Sequence, residues 1–119
     1  MAITASHMLI YSTDAEASRA AFRNVFGLKS VDAGGGWLIF KMPAAELGVH
    51  PTDGTQQNRH QITFMCDDLA KTMTELKAKG IGFRGEPRNE GFGITINMVL
   101  PGGVEVMLYE PRHPTAFDL

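Results

Sequence analysis

The chain has 119 residues, 44% of them hydrophobic and 20% charged, with a formal net charge of −2 and a pI near 6.0. A single domain of this size buries about two-thirds of its unfolded surface and needs no disulfide framework, and the one cysteine, Cys66, has no partner within the chain. Scattered positive charges exclude a nucleic-acid surface, the apolar runs fall short of the ~20 residues of a membrane span, and no positive-then-apolar amino terminus marks secretion, so a cytoplasmic protein is expected, with neither nucleic acid nor membrane as partner.

Residues 7–12 (HMLIYS) form a short apolar run of β-forming type, and Thr13 with Asp14 supplies helix-capping chemistry directly after it. The helix predicted from there to about Phe26 gathers Ala17, Ala20, Ala21, Val25 and Phe26 on one face, with Gly27 as a left-handed stop. Residues 29–33 and 37–42 read as a hairpin turned at Gly34, Gly35 and Gly36, and Pro43 breaks the chain before a further strand over 46–50. In that strand Glu46, Gly48 and His50 share one face, while Ala45, Leu47 and Val49 share the other. The apolar set is expected against the helices, which turns Glu46 and His50 toward a cup. The polar, turn-rich stretch PTDGTQQNR, ending at Arg59, is the linker to the second half of the chain.

Residues 60–66 (HQITFMC) are the next strand, and Asp67 or Asp68 caps a helix that carries Leu69, Met73 and Leu76 and stops at Gly80. Cys66 reads as a small buried apolar residue, not a nucleophile. A short strand over 81–84, a longer one over 93–100, a turn at Pro101, Gly102 and Gly103, and a final strand over 104–109 complete the chain. Around Phe92, Gly91 and Gly93 make either a mobile lip over a pocket or a bulged strand entry. Arg84, Arg88 and Arg112 read as solvated surface, or as groups recognising an anion near the mouth of such a pocket. Glu110, on the face opposite Met107, reads as a surface group near the strand end.

The two halves repeat each other. His7, Asp14, Gly27 and Leu28 recur 53 residues later as His60, Asp67, Gly80 and Ile81. Each copy has the order βαβββ, with module one over about 6–51, the linker over about 52–59 and module two over about 60–112. Each copy is too small to cover both faces of its own sheet, so the 1–119 chain is expected to be one domain in which two copies pack together, within or between chains. The resulting class is α+β, with tandem βαβββ modules forming a cup-shaped mixed β-sheet flanked by helices.

This pattern resembles the vicinal oxygen chelate superfamily, which includes glyoxalase I, extradiol dioxygenases, fosfomycin-resistance enzymes and bleomycin-binding proteins. The resemblance rests on His7, Asp14 and Phe26-Gly27-Leu28, on His60, Asp67 and Lys79-Gly80, and on the Leu-Pro-Gly-Gly turn that starts at Leu100. It implies metal ligands at the first and last strands of each module, hence His7 and His60, with Glu46 as the first-module carboxylate. The second carboxylate is implied four residues beyond the last turn glycine, where this chain has Met107, a soft thioether poorly suited to the divalent ions such enzymes use. Glu105 shares a strand face with Met107 and replaces it only after a two-residue slip.

Two readings stay open. In one, the chain binds a small organic molecule in a cup with an incomplete metal site, lined by Trp37, Phe40, Phe64, Phe92, Met107 and Tyr109 with Glu46, His50 and Glu105 as polar neighbours. In that set Phe40 and Phe64 read first as plain core and only second as pocket lining. In the other, a divalent-metal-dependent lyase, isomerase, transferase or dioxygenase uses His7, Glu46 and His60. A structural or interaction domain is the third class. The cofactor is accordingly none or one divalent metal ion, and the resemblance implies a homodimer.

Overall fold

A computed structural model describes residues 5, 7–117 and 119. Residue 6, where module one is expected to begin, lies outside the described residues. The elements run α1 (Ala15–Asn24), β1 (Ser30–Asp32), β2 (Leu38–Phe40), β3 (Thr63–Met65), α2 (Leu69–Ala78), β4 (Gly82–Asn89), β5 (Gly93–Val99) and β6 (Glu105–Pro111). From β3 onward this is the expected βαβββ order, and the whole is a mixed α+β fold with an open sheet.

The four-stranded sheet has the order β3-β6-β5-β4, with β3 parallel to β6 and the other neighbours antiparallel. Alternation along β5 and β6 buries Ile96, Met98, Val106 and Leu108 on one face. Leu69 and Leu76 of α2 join them in one core, where each sealed aliphatic side chain contributes about 1.5–3 kcal/mol. Asp68, not Asp67, is the helix cap, accepting the Lys71 N–H at 3.0 Å.

In the first half, Asp14 caps α1 by accepting the Ala17 N–H at 3.1 Å. The helix stops at Asn24, two residues before the expected end. There the Phe26 N–H turns to the Ala21 carbonyl, and Gly27, at φ 68°, lets Leu28 N–H reach Phe22 O at 3.1 Å. Its buried face is Ser18, Ala21 and Phe22. Phe22 is the aromatic anchor that the alanine pattern did not mark: its ring centroid lies 5.7 Å from both Phe26 and Phe40 and 6.1 Å from Phe64. The β1–β2 hairpin forms as expected, its turn closed by Asp32, which accepts the Gly34 and Gly36 N–H groups at 2.7 and 3.2 Å. In the linker, the backbone N–H and then the hydroxyl of Thr55 bond to Asp53 and hold its carboxyl below the ordinary value.

Three expectations are corrected. Residues 7–12 and 46–50 join no ladder, because no strand among the described residues lies alongside to supply their backbone partners. Leu47 and Val49 consequently face solvent at 91% and 92% exposure instead of packing on a helix. The strand expected over 81–84 runs on as β4 to Asn89, with an irregularity between Arg84 and Arg88, and Glu90 to Phe92 form a tight turn closed by the Glu90 N–H to Gly93 O bond of 2.9 Å. No helix among the described residues is long and apolar enough to cross a membrane.

Candidate functional site

A hollow of about 530 Å3 lies where the first half meets β3. Residues 7–10 form one wall, α1 contributes Ser18, Arg19 and Phe22, the stretch from Trp37 to Pro43 forms another wall, and Ile62 and Phe64 close the side toward the sheet. The sequence puts aromatic groups here for a local reason. Phe22 points inward from α1, Phe40 follows from the hairpin register, and Phe64 faces the same side of β3 as the core. Trp37, beside the hairpin turn, stays 58% exposed with the Arg19 guanidinium 5.6 Å from its ring centroid. A cavity of this size with a mixed, mainly apolar lining and Arg19 and Lys41 at its wall has the dimensions of an ordinary small-molecule site.

Of the residues singled out from the sequence, His7, Trp37, Phe40 and Phe64 line this cavity. Phe40 and Phe64 also pack against the core, so the two roles expected of them coexist. His60 is exposed and does not line it, and His50, also exposed, places Nδ1 2.6 Å from Pro51 O. Glu105 pairs with Arg84 at 3.0 Å on the surface. Met107 Sδ accepts from the Gln61 side-chain amide at 3.8 Å.

Glu46 and Tyr109 are brought together by a residue that the sequence pattern did not single out, His113. The His113 Nδ1 lies 2.8 Å from Pro114 O, a carbonyl that only accepts, so Nδ1 carries a hydrogen. In the neutral ring Nε2 then accepts the Tyr109 hydroxyl, 3.0 Å away, while Glu46 Oε1 stands 3.5 Å from the same nitrogen. Glu46 Oε2 accepts the Ala116 N–H at 2.7 Å, so its carboxylate fastens the segment after β6. Burial raises the Tyr109 phenol above its ordinary value, and the Glu46 charge adds to the effect. Phe92 completes the cluster edge-on, 5.6 Å from the Tyr109 centroid. Strand period does not carry past Pro111, so nothing in the pattern marks His113.

Among the described residues no three His, Cys, Asp or Glu side chains converge where they could hold a metal ion. The donors do not fit the group that the resemblance implies. Glu46 is turned to the segment after β6, and a thioether stands at the position of the second carboxylate. Cys66, half-buried, donates weakly to Tyr109 O at 3.7 Å, and burial pushes its thiol up, which suits a packing role.

Solved structures with the same fold include the antibiotic-binding protein TnmS3 of a Streptomyces species, with TM-score 0.64 and 21% identity over 93% of this chain and 98% of that one. A lactoylglutathione lyase of Agrobacterium tumefaciens aligns with TM-score 0.61 and 22% identity over 90% and 92%. An integron cassette protein from the mobile metagenome of V. cholerae gives 0.56 and 13% over 92% and 98%. No curated protein sequence matches. The model of one family matches residues 4–108, and with it the chain belongs to the Glyoxalase/Bleomycin resistance protein/Dioxygenase superfamily.

Proposed function

We propose that this chain is a single two-module domain that binds a small organic molecule as a cytoplasmic homodimer, holding the ligand in the cavity beside His7 and Trp37. The observation that carries the reading is the cavity itself: about 530 Å3, walled by Phe22, Trp37, Phe40 and Phe64. That volume falls in the range of ordinary ligand sites, and a domain serving only as an interaction surface has no use for it. The likeness to an antibiotic-binding protein is in keeping with capture, and the missing carboxylate at Met107 weighs against metal-dependent turnover. The exposed Leu47 and Val49, on segments without ladder partners, support a second copy as the partner.

The binding role is tested with a neutral aromatic probe, anthracene-2-carboxamide, read through the emission of Trp37, the only tryptophan. Saturable quenching is expected, and Ala45→Phe, which grows a side chain into the cavity wall, should weaken it several-fold. Absence of any quenching would sink the assignment. Metal analysis after dialysis separates the enzyme reading. Near-stoichiometric divalent metal that vanishes in His7→Ala and His60→Ala variants would overturn the metal-free one.

A further inference from the structure

The ionisable groups around the cavity have one character. His7, Arg19 and Lys41 lie on its wall, and no aspartate or glutamate among the described residues does. The chain as a whole carries a net charge of −2, so this local excess runs against the average. The protein's own carboxylates do not neutralise it: the ion pairs among the described residues involve Arg84, Arg88, Arg112 and His113, and leave Arg19 and Lys41 out. Arg19 instead sits against the Trp37 ring. That contact uses the electron-rich face of the indole and leaves the guanidinium N–H donors without a carboxylate partner.

We infer, on the reading that this cavity is the ligand site, that it takes a flat aromatic molecule bearing an acidic group such as a carboxylate or sulfonate. The aromatic walls hold the ring system, and Arg19 and Lys41 hold the acid. An anion at an apolar wall is weakly screened, so each cation there attracts it more strongly than on open surface. A cationic ligand of the same shape meets no opposite charge on the lining.

Three probes of one shape test this: anthracene-2-carboxylate, its neutral carboxamide and 2-(aminomethyl)anthracene as the ammonium, each titrated into the full chain and followed through Trp37. The carboxylate should bind about tenfold tighter than the carboxamide, and the ammonium weaker than both. Lys41→Gln should cut the carboxylate's advantage over the carboxamide to about threefold, and added salt should act likewise. Arg19→Gln, checked by calorimetry because it alters the surroundings of Trp37, supplies an independent second variant. Equal binding of carboxylate and carboxamide, or preference for the ammonium, overturns the acid assignment while the cavity remains the binding site. Failure of all three probes overturns the cavity reading and this inference with it.

Discussion

Glu110 accepts the Leu69 N–H at 3.0 Å while Asp68 accepts that of Lys71, so two of the free donors at the start of α2 are satisfied by side chains. Its expected place as a surface group is thus corrected, because the end of β6 lies against that helix. Glu110→Ala should cost about 1–2 kcal/mol in urea unfolding, with the slope unchanged. Tyr109 gives a different prediction. Its phenol is raised above 10.0 by burial first and the Glu46 charge second. The folded state therefore holds the proton more tightly than the unfolded chain, so this contribution is complete below about pH 10 and is lost as pH climbs through the folded value. Tyr109→Phe should show a shallower fall of stability than the natural chain between about pH 9 and pH 11, measured by denaturant melts. An equally steep fall in the variant would show that the alkaline loss arises elsewhere. At this scale the sequence exposes residue type but not company: Glu46 and Tyr109 were both legible as polar groups of interest, whereas their link through His113 depends on a turn of chain that no period encodes.

The elements that were legible are those whose partners lie close in sequence. Asp14, the alanine spacing and Gly27 mark α1, and the three glycines mark the β1–β2 hairpin, because capping and turn chemistry act within a few residues. The strands expected over 7–12 and 46–50 have suitable alternation, but a strand exists only beside another, and period says nothing about whether that neighbour belongs to the same chain. Packing between the halves was likewise hidden. The N-terminal end of α1 rests on the turn before β6, where Ser18 Oγ donates to Pro101 O at 2.9 Å. A Cβ on Gly102 would stand 2.5 Å from Ser18 Oγ and 2.9 Å from Asp14 O, and the backbone there has φ of 93°. Gly102→Ala should therefore destabilise the fold by about 2 kcal/mol, read as a lower urea midpoint, since both the contact and the conformation resist the added methyl. A neutral effect would mean that the helix and turn separate freely. Ser18→Ala, which removes a hydroxyl 2.9 Å from both Pro101 O and Ser12 Oγ, should cost about 1 kcal/mol.

The whole molecule is larger in surface and reach than its length requires. A compact monomer of 13.0 kDa exposes about 6,300 Å2, whereas this chain exposes 8972 Å2. Its radius of gyration is 15.3 Å, against about 13.5 Å for a compact domain of the same length. The excess, roughly 2,600 Å2 for each chain, is at the upper end of what a large obligate dimer removes from each partner. Several exposed apolar groups lie on segments that lack a ladder partner: Leu9, Tyr11, Leu47 and Val49 are exposed by 56%, 87%, 91% and 92%. The short β3 stands at an open sheet edge, able to accept another strand. A second copy that covers these segments would supply the missing strand neighbours and firm the cavity wall that residues 7–10 form. The full chain should sediment as a dimer at micromolar concentration. Leu47→Glu with Val49→Glu should shift it to monomer, because burying two carboxylates in place of two aliphatic groups costs several kcal/mol. The same double variant should lose affinity for anthracene-2-carboxylate in parallel with its loss of dimer. A native chain that sediments as a monomer throughout that range would remove the partner from the account, and ligand affinity unaffected by dissociation would show that one chain builds the cavity unaided.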